Sequence, residues 1–112
     1  MCIRDSYRKI IEKGDLAGKA VILVDDGLAS GFTMHVAIRS AGSEGAGQVL
    51  VAVPTGHVNA IENVARGCDR LYCANIREGL RFAVASAYVA WSDVSEDEVE
   101  RQLMKVHQAR GT

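Results

Sequence analysis

Residues 20–34 read Ala20-Val21-Ile22-Leu23-Val24-Asp25-Asp26-Gly27-Leu28-Ala29-Ser30-Gly31-Phe32-Thr33-Met34: an apolar run, an acid pair, then small residues leading into a helix. Ala20–Val24 is rich in β-branched side chains, too short for a helix, and apolar on both faces. A strand reads this way when helices cover both faces of a parallel sheet. Beyond it, Met34, Ala37, Ile38 and Ala41 fall at i, i+3, i+4, i+7, the apolar stripe of an amphipathic helix. Gly42, Gly45 and Gly47 end that helix, and Val49-Leu50-Val51-Ala52-Val53 repeats the buried-strand pattern. Strand, helix and strand make a βαβ unit, whose crossover is expected to be right-handed.

Further out, a second helix is predicted from Val58 to Arg66, with Val58, Ile61, Val64 and Ala65 inward and Gly67 as its stop. Arg70–Ala74 reads as a shorter third strand. Phe82–Trp91 fits either a strand start or a buried helix. The last element is a helix opened by Ser95-Glu96-Asp97-Glu98. This is a capping box in which Ser95 caps and Glu98 reaches back, with Val94 and Val99 as a hydrophobic staple. Val99, Leu103 and Val106 give it an apolar stripe. Alternating strands and helices predict an open, mainly parallel three-layer α/β/α sheet. Ligands bind such sheets beyond the carboxyl ends of the strands, which singles out the loops after Val24 and Val53.

The loop after Val24 has the parts of a sugar-phosphate pocket. Gly27 and Gly31 allow positive φ and let backbone come close to a ligand. Ser30 and Thr33 offer hydroxyls, and the N–H groups from Ala29 to Thr33 lie at a helix start, where unpaired amides and the helix dipole favour a monophosphate. Asp25 and Asp26 would repel that phosphate. They suit a neighbouring sugar diol that donates hydrogen bonds, or a bound cation.

Taken together, Val21-Ile22-Leu23-Val24-Asp25-Asp26-Gly27-Leu28-Ala29-Ser30-Gly31-Phe32-Thr33-Met34 resembles the phosphoribosyl-pyrophosphate (PRPP) motif of the type I phosphoribosyltransferases. Val51–Pro54, Phe82–Ser86 and Trp91–Val99 extend the likeness to a bacterial and archaeal subgroup of that family, over about Asp15 to Met104. The resemblance implies that Asp25 and Asp26 hold the ribose hydroxyls and act in catalysis. It implies that Gly27, Ala29, Ser30, Gly31, Phe32 and Thr33 wrap the 5-phosphate, mostly through amides. The implied reaction displaces pyrophosphate from C1 of PRPP with a nitrogenous acceptor. Magnesium is expected to arrive on PRPP rather than in an all-protein cage. Thr55, in Pro54-Thr55-Gly56-His57, and Phe82 are the base-side candidates.

Two departures from the family pattern matter. Members that salvage 6-oxopurines carry an Asp where this chain has Ala29, which argues against hypoxanthine or guanine as acceptor. Members are also longer, and their N-terminal half supplies the pyrophosphate loop and most of a mobile loop. Residues 1–14 are therefore read as a remnant, partly foreign at Met1–Ser6, and 15–112 as the C-terminal portion of the domain. A portion of this kind is expected to be inactive alone and prone to self-association through uncovered sheet. The expected partners are PRPP, a small nitrogenous acceptor, and either a second copy or the N-terminal half.

Composition narrows the alternatives. The 112 residues carry 13 Lys and Arg against 14 Asp and Glu, so no basic excess points to nucleic acid or membrane. No apolar run approaches the roughly 18 residues of a membrane helix. The start does not read as a secretory signal, and three cysteines fit no disulfide framework, so the cytoplasm is the expected compartment. Cys68 and Cys73 lack a second ligand pair for zinc. His57 is read as an exposed residue at a helix start more readily than a ligand. Tyr88 and Trp91, like Phe82, are core candidates before they are stacking rings. A receiver domain would need an acid after the second strand, where Val53-Pro54-Thr55 stands. A PRPP-sensing regulator on the same fold is the alternative that the acid pair does not exclude.

Overall fold

The computed structural model describes residues 15–79 and 83–110. Residues 15–90 form one compact unit and 91–110 belong to a second, taken separately below. The first unit runs β1 (Ala20–Val24), α1 (Phe32–Ser43), β2 (Gln48–His57), α2 (Val58–Ala65), β3 (Arg70–Arg77) and a 3₁₀ turn (Val84–Ala87). The strands form one parallel sheet in the order β1-β2-β3, with Val24 opposite Ala52 and His57 opposite Arg77. This is the open parallel α/β sheet expected from the buried-strand pattern.

The core lies on one face of that sheet. Val49, Val51 and Val53 of β2 meet Met34, Ile38 and Ala41 of α1 and Ala60, Ile61 and Val64 of α2, with Val21, Leu23, Leu71 and Cys73 packed around them. Each buried Val, Ile or Met among them contributes about 1.5–3 kcal/mol relative to exposure. Ala65, expected inward, is exposed, and Ala60 takes its place.

Among the described residues of this unit, α1 and α2 both cover the same face of the sheet. Two parallel crossovers of the same hand, stepping β1 to β2 to β3 in one direction, must place α1 and α2 on the same side. The other face keeps Ile22 62%, Val24 73% and Tyr72 57% exposed. The apolar character of β1 on both faces is therefore no guide to where these two helices lie.

The second strand is longer than its apolar run. It continues through Pro54-Thr55-Gly56 to His57, because its end pairs with Leu28 on one side and β3 on the other. Leu28 donates its N–H to the Thr55 carbonyl at 3.1 Å and accepts from the His57 N–H at 2.9 Å. Pro54, with no N–H to give, falls between paired positions: the β2–β3 register steps from Val53–Cys73 to Thr55–Asn75. The third strand likewise runs on to Arg77. Of the ambiguous segment, Val84–Ala87 is a single 3₁₀ turn.

The second unit contributes α3 (Glu96–Arg110). Ser95 caps it, its Oγ accepting from the Glu98 N–H at 3.2 Å. Only that half of the expected capping box forms. The Glu98 carboxylate turns forward instead, pairing with Arg101 and accepting from Gln102 Nε2 at 3.0 Å. Val94 is 63% exposed, so the staple is not sealed, and Val106 is exposed where the stripe placed it inward. No described helix is long and apolar enough to cross a membrane.

Candidate functional site

The acid pair stands where β1 leaves the sheet, one residue past its last register partner. Asp25 folds back on the chain, its Oδ1 accepting from the Asp26 N–H at 2.8 Å. Both side chains are exposed. Partial burial first, then the hydrogen bond and negative charge of Asp25, hold the Asp26 carboxyl above its ordinary pKa. Two carboxylates facing one another invite a positive group or a hydrogen-bond donor.

Gly27 follows, and its use is space rather than φ. A Cβ there would lie 2.8 Å from both Val84 methyls and 3.1 Å from Thr55 Cγ2. Gly31 is the position with the left-handed backbone, φ 81°, and it starts α1 with no side-chain cap. A Cβ at Gly31 would also meet Val64 Cγ2 at 2.9 Å.

The consequence is an open helix start. Among the described residues, the amides of Ala29, Ser30, Gly31 and Thr33 have no acceptor, while the Phe32 N–H reaches Ser30 Oγ at 3.3 Å. They line a cleft of about 170 Å³ with Asp25, Gly27, Leu28, Met34 and Val84. That is below the ~300 Å³ of a pocket for a whole drug-sized ligand, and suits one anionic group with part of what carries it. Asp26 borders the turn but is not in this lining. A larger, shallow depression of about 620 Å³ lies over Ala52–Pro54 and Leu71–Ala74. It has no charged side chain in its lining, and neither Asp25 nor Asp26 lines it.

Thr55 is buried beneath the loop, 2% exposed, with its hydroxyl donating to Asn75 Oδ1 at 3.3 Å. Arg77 Nε donates to the same oxygen at 3.0 Å, tying the ends of β2 and β3 together. His57 is a cap. Its Nδ1 accepts from the Asn59 N–H at 3.2 Å, and its Nε2 donates to the Gly79 carbonyl at 2.7 Å. Phe82 lies outside the described residues.

Tyr88 and Val84 take places at the loop that no spacing in the sequence foretells. The Tyr88 hydroxyl donates to the Asp26 carbonyl at 2.5 Å. Both contacts span some sixty residues, beyond the reach of any local pattern. Burial, then the Asp69 charge, pushes the Cys68 thiol up. Among the described residues, no three or more His, Cys, Asp or Glu gather to hold a metal.

The phosphoribosyl transferase domain model matches residues 6–87. Two Mycobacterium tuberculosis proteins, from strains CDC 1551 / Oshkosh and ATCC 25618 / H37Rv, each carry the name "Putative phosphoribosyl transferase" and are 32% identical over 103 residues. The match covers 92% of this chain and 23% of theirs, so the chain spans about a quarter of the length of these relatives. The crystal structure of TT1426 from Thermus thermophilus superposes with TM-score 0.83 at 29% identity, over 92% of this chain and 49% of that one. AQ2163 from Aquifex aeolicus, TM-score 0.56 at 22% identity over 62% of this chain and 34% of its own, shares the fold.

Proposed function

The chain belongs to the phosphoribosyl transferase domain family, and from that premise we propose that its β1–α1 loop binds the ribose 5-phosphate part of PRPP for transfer to a nitrogenous acceptor. The single observation that carries this reading is the pairing of an uncapped helix start, its Ala29–Thr33 amides largely unsatisfied, with two carboxylates a few residues before it. The amides take the 5-phosphate, and the helix dipole favours its charge. The acids take the ribose hydroxyls as hydrogen-bond acceptors.

In the proposed reaction the acceptor nitrogen forms a bond to C1 of the ribose with its lone pair. The C1–oxygen bond to pyrophosphate breaks, the electron pair leaves with pyrophosphate, and the acceptor nitrogen gives up its proton to solvent. Positive charge develops on the ribose ring in between. Asp25 and Asp26, fixed beside the sugar before the reaction begins, stabilise that charge without having to reorganise. Magnesium fits this site as a companion of the substrate. One or two carboxylates with substrate oxygens are its usual partners, and Asp25 and Asp26 are the residues placed to reach it. When bound, the ion neutralises charge on the pyrophosphate that leaves.

Calorimetry with PRPP and magnesium tests the reading. The wild-type chain is expected to bind, and Asp25→Asn/Asp26→Asn to bind at least tenfold more weakly. Equal affinity in both would remove the acids from the site. Base-dependent release of pyrophosphate by the full-length gene product would then separate transfer from sensing.

A further inference from the structure

We infer that Tyr88 is a positioning residue for the acid pair, an inference that rests on the ribose 5-phosphate reading of the loop. The Asp26–Gly27 peptide is the weak point of that turn. Chain leaving β1 has no register partner beyond Val24, and Gly27 gives the following residue little resistance to rotation. Anchoring the Asp26 carbonyl fixes ψ at Asp26, and with it the path by which the chain carries the acid pair into the loop.

Two peptide groups flank the Asp26 side chain, and both are held. Its N–H is taken by the Asp25 carboxylate, and its carbonyl by the Tyr88 hydroxyl at 2.5 Å. The second contact comes from 62 positions away, so its geometry is set by the packing of the unit. That packing is local and tight. Ser86 N–H donates to the Ala83 carbonyl at 3.0 Å and Tyr88 N–H to the Ala85 carbonyl at 3.2 Å, closing the turn that carries Val84 and Tyr88. Val84 presses its methyls on Gly27 and joins Asp25 in lining the cleft. One short turn therefore holds the acidic end of the loop at two adjacent residues. Neither contact involves the amides of Ala29–Thr33.

This separation makes the role testable. Tyr88→Phe keeps the ring and removes the hydroxyl. The Gly27 amide resonance is expected to shift in the unliganded variant, while those of β2 stay in place. Affinity for ribose 5-phosphate with magnesium is expected to fall about threefold to tenfold, the worth of one ordinary hydrogen bond. Affinity for inorganic phosphate, which needs only the amides, is expected to be unchanged. Unchanged ribose 5-phosphate affinity, an unmoved Gly27 resonance, or an equal loss for both ligands would each overturn the role. A wild-type chain that binds inorganic phosphate but gains nothing from the sugar would instead overturn the reading beneath it.

Discussion

Two strand-to-helix junctions sit side by side at the carboxyl edge of this sheet, and they are built in opposite ways. After β1 the chain spends seven residues, Asp25–Gly31, before α1 begins, and the helix start has no side-chain cap. After β2 it spends none. His57 ends the strand, caps α2 with its own ring and reaches on to Gly79. The second junction gives its Asn59 amide an acceptor on the His57 ring, which favours stability. The first gives its Ala29, Ser30, Gly31 and Thr33 amides none, which favours a ligand. On the proposed reading, binding capacity comes from the helix start that the sequence declines to cap.

The largest effect that would break the contrast is at Gly31. Gly31→Ala must accept a left-handed backbone and a contact with Val64, so unfolding stability is expected to fall by about 2 kcal/mol or more in denaturant titration. Phosphate binding should be lost with it. Gly27→Ala comes next. Its Cβ would collide with Val84 and Thr55, with a cost of about 1–3 kcal/mol and weakened ribose 5-phosphate binding by calorimetry. A loop that tolerates either change without loss would not be the constrained turn described above.

Smaller changes sharpen the contrast. His57→Ala removes the cap at the closed junction and is expected to cost about 1 kcal/mol in thermal or denaturant unfolding, with phosphate affinity preserved. The acid pair supplies a pH signature. Because the folded protein holds the Asp26 proton more tightly than the unfolded chain does, Asp26 favours folding at low pH, and that contribution is lost as pH rises through its folded pKa. Asp26→Asn should therefore be slightly more stable than wild type at neutral pH, by about 0.5 kcal/mol or less at this exposed position, and equal to it in acid. Ribose 5-phosphate binding by the wild type should weaken on acidification, starting above the usual carboxylate range. An Asp26→Asn variant that is less stable at neutral pH would contradict a carboxyl held up by burial and by its Asp25 neighbour.

The same two junctions mark what could be read from residues alone. β1 and α1 were legible because local periodicity determines them: an apolar run, then a stripe at 3.6-residue spacing. The length of β2 was not, since Thr55-Gly56-His57 looks like loop until Leu28 and β3 pair with it. Gly27 was legible as a needed glycine, but its reason, room for Val84 and Thr55 and not positive φ, was not. Tyr88 and Val84 could be seen only as apolar residues, because their partners at Asp26 and Gly27 are brought to them by tertiary packing. The one-sided helix layer follows from strand order, which composition does not encode.

Amide resonances followed during titration with ribose 5-phosphate and magnesium compare the two junctions in a single experiment. The account predicts saturable shifts of Ala29, Ser30, Gly31 and Thr33 together, with Val58 and Asn59 unmoved. Shifts of equal size at both helix starts, or none in the Ala29–Thr33 amides at saturation, would contradict it.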